Sequence, residues 1–231
     1  MSRKLIIVFC FTAGITFVSD ATALSLDIRS SPENQLDVSL LVRQSALVLK
    51  DSSYRLNTDI SQIGFRLLDI PRTIPIQLGL AAGYAFIDTQ TPIGLNNGNL
   101  GGGYLSLLSR ITLFNTGRWS SQLTMSYSYL VAHNNSDTQK TRLRWNHILA
   151  EAEVSYYLSN YLSLTLGGAY SILDARLTQS GDTNISVALT TENKGAGFIG
   201  FNYHVDLDQK VVFQIQRGYF DSFTIKFQRT F

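Results

Sequence analysis

Apolar and polar residues alternate with a period of two along most of this chain, and few folds accommodate that. In WSSQLTMSYSYLVA (119–132) one face collects Trp119, Leu123, Met125, Tyr127, Tyr129 and Val131. The other collects Ser120, Gln122, Thr124, Ser126, Ser128, Leu130 and Ala132. A helix would scatter these apolar residues around its circumference, whereas a strand sorts them. YLSLTLGGAYSI (161–172) sorts the same way, Leu162, Leu164, Leu166, Tyr170 and Ile172 against Ser163, Thr165, Gly167, Ala169 and Ser171. The pattern predicts ten strands, at about 36–48, 56–70, 74–87, 103–114, 119–132, 145–158, 161–173, 193–205, 210–216 and 222–231.

Strand length and face polarity then decide the surroundings. Strands of soluble proteins average about five or six residues. Several here run to twelve or more, enough to cross a bilayer at a tilt. The less apolar face is Ser, Thr, Gly, Ala and Gln with few Lys or Glu, a poor water-exposed surface. Turned inside out it is coherent: apolar side chains meet lipid and small polar ones line a lumen. The connections alternate as well. Those at 71–73, 115–118, 159–160 and 206–209 are tight, and those at 88–102, 133–144 and 174–192 are long and polar. Aromatic residues gather near both strand ends: Phe114, Trp119, Tyr156, Tyr161 and Tyr203 on the short-turn side, Tyr84, Phe86, Tyr129, Trp145 and Tyr170 on the long-loop side. Two such girdles mark the two membrane interfaces. The expected fold is all-β, a closed antiparallel up-and-down transmembrane β-barrel of ten strands, with eight as the alternative. TNISVALTT (183–191) alternates inside the longest loop and is expected to extend the wall above the membrane.

The first residues stand apart. Ser2-Arg3-Lys4, an apolar stretch from Leu5 to Val18 and Ala21-Thr22-Ala23 have the layout of a signal peptide, 1–23, leaving a barrel domain at 24–231. The one cysteine, Cys10, falls inside that segment, so the exported part has none to form a disulfide. Beyond Ala23 the chain carries 17 basic and 16 acidic residues, which gives no electrostatic footprint for nucleic acid.

The alternation continues through SFTIKFQRTF, residues 222–231, with Phe223, Ile225 and Phe227 on one face and Phe231 at the end. This resembles the C-terminal signature of Gram-negative outer-membrane β-barrel proteins, within the superfamily of small barrels like the transmembrane domain of outer membrane protein A. The resemblance implies that these four residues are an assembly signal, and that the barrel-assembly machinery, outer-membrane lipids and lipopolysaccharide are partners. Arg229 departs from the pattern, which commonly has an aromatic or apolar residue third from the end. The family includes enzymes acting on lipid A or on peptides, so an enzyme is the alternative function. A soluble exported β-sandwich binding protein is the other.

Chemistry, if present, sits in the lumen. The alternation sends Asp37, Arg43, Arg66, Arg110, Glu151, Glu153 and Lys226 inward, with His147 near the outer mouth. Charges on the lipid face would cost about 2–4 kcal/mol each at the midplane. The first reading is an ion-pair and hydrogen-bond network that plugs the barrel; the others are a narrow channel for a small solute, or a surface that meets an extracellular ligand. Glu151 and Glu153 are neighbours on one face, which suits acid–base chemistry or plain ion pairing. No catalytic residue, metal site or cofactor motif is assigned: the histidines form no cluster with carboxylates, and GLNNGNLGGG (94–103) lacks the ending of a phosphate loop. Gly79, Ala81, Gly83, Gly167, Ala169, Ala196 and Gly200 are expected to leave room inside.

Overall fold

The computed structural model describes residues 34–51, 55–71, 75–90, 99–135, 139–181 and 184–231. The expected signal peptide lies outside these residues. Eleven antiparallel strands make up the fold: β1 (Asn34–Lys50), β2 (Arg55–Pro71), β3 (Ile76–Gln90), β4 (Asn99–Thr116), β5 (Trp119–Asn135), β6 (Gln139–Ser159), β7 (Leu162–Gly181), β8 (Ile185–Thr191), β9 (Gly195–His204), β10 (Gln209–Gly218) and β11 (Asp221–Thr230). All except β8 close a ring of ten, because β11 pairs with β1 from Asp37 opposite Thr230 to Ala46 opposite Asp221. Phe231 completes this seam. Its amide donates to the Leu36 carbonyl at 2.9 Å, and the Leu36 amide donates to the Phe231 carbonyl at 3.1 Å.

The segment read as an extension of the wall is β8, and it closes the tube a second time. It pairs with β7 from Asp174 opposite Thr190 to Gln179 opposite Ile185. It also pairs with β1, Leu49 opposite Thr191 and Lys50 opposite Thr190. Above the level where β9, β10 and β11 stop, β1 to β8 therefore form a narrower ring of eight strands. Ten and eight strands both occur, at different heights of one tube. Much of what the sequence suggests as long loops is strand: β6 has 21 residues and β7 has 20.

The extra length has a physical reason, visible in which face is apolar. Along β7 the outward residues are Leu164, Leu166, Tyr170 and Ile172, then Asp174, Arg176, Thr178 and Ser180. The inward ones are Ser163, Thr165 and Ser171, then Leu173, Ala175 and Leu177. β2 switches between Ile63 and Ser61, and β1 between Val42 and Gln44, at positions directly opposite each other. The lower part of the tube is apolar outside; the upper part is apolar inside, like a soluble barrel. The lower outer wall is a belt of large apolar side chains, with Leu78 and Leu166 each 62% exposed and Phe86 60%. An apolar surface of that extent belongs in lipid.

Two turns need glycine. Gly117, with φ of 48°, is the first of two residues joining β4 to β5, where hairpins favour a positive φ. Gly218, with φ of 141°, ends β10, and a Cβ there would run into Ala196 and the Gly195 carbonyl. The next two residues, Tyr219 and Phe220, fold inward against His147, where they are 4% and 7% exposed.

Candidate functional site: two layers in the barrel interior

The interior divides at the step from ten strands to eight. In the upper layer Leu47, Leu49, Leu56, Ile87, Leu143 and Leu189 belong to one buried apolar cluster, with Tyr219 and Phe220 part of it. An eight-stranded ring is just wide enough for its own side chains to fill it. Leucines supply most of the filling here, with Thr58, Thr89, Gln179 and Thr191 buried among them, so the layer is a mainly hydrophobic core.

Trp145 belongs to this core. The girdle assignment for it is therefore corrected: the residue is 4% exposed and faces inward. It shares a face of β6 with His147 and Glu151, and the alternation that turns those two inward turns Trp145 inward as well. Phe114, Trp119, Tyr129, Tyr161, Tyr170 and Tyr203 are exposed on the outer wall, and Tyr156 lies beside Trp119 with ring centroids 4.6 Å apart.

The lower layer is a chamber of about 180 Å³, on whose wall Arg43, Arg66, Arg110, Glu151, Glu153 and Lys226 converge from five strands of the ring. Asp37 lies nearby, fully buried. It accepts a hydrogen bond from Gln228 Nε2 at 2.6 Å and another from Ser39 Oγ at 2.9 Å. Arg66 Nη2 stands 3.9 Å from the Asp37 carboxylate and donates to Ser39 Oγ at 3.4 Å. Arg43 Nε donates to Thr224 Oγ1 at 3.1 Å. The seven expected lumen residues are thus gathered in one layer, although the distances place only part of them in direct contact. Lys210, not assigned from the sequence, faces inward opposite Gln228.

His147 sits at the boundary between the layers. Its Nε2 is 2.8 Å from Ser171 Oγ, and its ring meets those of Phe220 and Tyr219 at 5.6 and 6.1 Å. The small residues host rings as well as space. A Cβ on Gly167 would collide with the Phe198 ring, and one on Gly83 with Tyr104. No cluster of three or more His, Cys, Asp or Glu side chains able to hold a metal occurs among the described residues.

Phe223, Ile225 and Phe227, expected from the resemblance to form an assembly signal, point outward from β11, in line with Val42 and Leu40 of β1. The Arg229 guanidinium lies 4.8 Å from the centre of the Phe231 ring. A cation over an aromatic face is attracted to it, so Arg229 covers the ring that its position in the pattern would otherwise adjoin with an apolar group.

A closed, ten-stranded antiparallel tube with an apolar outer belt defines the fold of an outer-membrane β-barrel. Solved structures agree on this. The chain is similar to the translocator domain of the autotransporter NalP from Neisseria meningitidis, with 10% identity, a TM-score of 0.55, and 99% of this chain and 97% of that one covered. It is also similar to the outer membrane protease OmpT from Escherichia coli, with 11% identity, a TM-score of 0.50, and 87% and 97% covered. No protein-family model and no curated protein sequence matches the chain.

Proposed function

We propose that this is an exported, integral outer-membrane barrel that conducts no solute, and whose working surface is the part of its wall raised outside the membrane. The packed upper layer is the observation that carries this reading. A lumen filled mainly by leucine, with Tyr219 and Phe220 in the same cluster and only Thr58, Thr89, Gln179 and Thr191 as buried polar side chains among the described residues of that layer, offers ions a poor path to the outside.

The raised wall has the chemistry of a rim that meets head groups. Arg144 and Arg176 are directly opposite each other on its outer face, with Arg142 two residues on from Arg144. They stand four residues above the apolar Ile148 and Ile172, past Asn146 and Asp174, where the outer face turns from apolar to polar and a membrane interface would fall. Outer-membrane lipids and lipopolysaccharide are the partners this suits, with an extracellular ligand as a further occupant of the same rim. Phe223, Ile225, Phe227 and Phe231 are the segment offered to the barrel-assembly machinery.

Planar-bilayer recording tests the proposal. Purified protein should insert without discrete conductance steps. Regular steps from the unmodified protein would sink it. Export has its own test: the protein recovered from outer-membrane fractions should begin at Leu24 by mass.

A further inference from the structure

The chamber below the seal has an unbalanced charge. Among the described residues its layer holds five inward cations, Arg43, Arg66, Arg110, Lys210 and Lys226, against three carboxylates, Asp37, Glu151 and Glu153. Counted as formal charges, cations exceed carboxylates by two inside a wall of low dielectric. Enclosing unpaired charge is unfavourable, because the lost hydration is not replaced. The imbalance is local, because the chain beyond the signal is nearly neutral, with 17 basic and 16 acidic residues.

Geometry adds a second reason. The guanidinium Nε atoms of Arg66 and Arg110 are buried without a hydrogen-bond partner among the described residues. Both side chains line the chamber, from β2 and β4, and Lys226 faces them from β11. Guanidiniums present planar, forked donors that suit phosphate-like oxygens, and an ammonium adds a point charge. A volume of about 180 Å³ equals that of about six waters at ~30 Å³ each, room for one small ion and part of its hydration.

From this convergence we infer that the chamber is a binding site for one small oxyanion with the size and charge of phosphate or sulfate, held by Arg66, Arg110 and Lys226. Glu151 and Glu153 bound it on the β6 side and limit it to a single anion. The site is closed toward the outside by the apolar layer.

The protein carries its own reporter. Trp145 is on the chamber wall, and Trp119, the other tryptophan, is on the outer surface. In a Trp119→Phe background the barrel is refolded at a series of sodium phosphate concentrations. Refolding in the presence of the anion means that access to the closed chamber does not limit binding, and sodium chloride holds the ionic strength constant. Trp145 emission should change saturably with phosphate. Arg110→Gln should raise the midpoint at least tenfold, and Glu153→Gln, which removes a competing negative charge, should lower it several-fold. Arg118→Gln, in the exposed turn between β4 and β5, should leave it unchanged. Folding of each variant is checked by its heat-modifiable migration. Three results overturn the inference: no saturable response, a midpoint insensitive to both chamber variants, or loss of the response in Arg118→Gln. None of them bears on conductance, which tests the seal separately.

Discussion

At the scale of single residues, the interior is decided by which side chain occupies which hollow. Gly167 is the clearest instance, because the Phe198 ring takes the space its Cβ would need. Gly167→Ala should destabilise the barrel by about 1–3 kcal/mol, the usual cost of overpacking. Equilibrium urea unfolding in lipid vesicles would measure this, and Phe198→Leu in the same chain should recover part of the loss. In the upper layer the opposite change applies. Leu143 is 1% exposed, and Leu143→Ala should cost about 2–5 kcal/mol by leaving a cavity. These positions were only half legible in the sequence. Leu130 and Ala132 already stood on the face assigned to the lumen, and Trp145 shares the phase of His147 and Glu151. Aromatic residues near strand ends suggest girdles, and that association overrode the phase at Trp145. Nothing in a glycine's identity says which ring will occupy the hollow beside it, since that depends on a strand far away in the chain.

At the scale of elements, β8 is the piece on which the upper ring depends. Its inward side chains Val187 and Leu189 are 7% and 1% exposed, and its outward Ser186, Ala188 and Thr190 face solvent. Glu192 follows it and contacts Arg55 at 3.0 Å and Lys50 at 3.9 Å. These exposed pairs are worth about 0–1 kcal/mol, so the apolar side chains hold β8 in place. Val187→Ser with Leu189→Ser should therefore open the upper layer, seen as conductance steps that the unmodified protein lacks, whereas Glu192→Gln should leave conductance absent. The alternation of 183–191 made a strand here readable. Its pairing with β1 was not, because a period of two gives a strand its faces but no partner.

For the whole molecule, the outside of the tube changes character once along its length, and the ten-strand fold with its outward apolar belt was the part the sequence stated most plainly. The change to an apolar interior above the belt was written in the same strands. It shows as Asp174 and Arg176 taking the face that Leu166 and Ile172 hold lower down. A substitution series along that face should trace the boundary: Leu166→Arg should cost about 2–4 kcal/mol and Ala188→Arg about 0–1 kcal/mol, read as shifts in unfolding midpoint in vesicles. The two closures also share one edge. β1 gives its lower length to β11, as far as Ala46, and from Leu49 it belongs to β8, so only Leu47 and Val48 separate the two grips. The chain between β8 and β11 must then return to β1 at a fixed distance, which gears the two seams together. A single residue inserted in that return would slip one seam against the other and turn its side chains over, so this stretch can tolerate exchange of residues but not a change in their number.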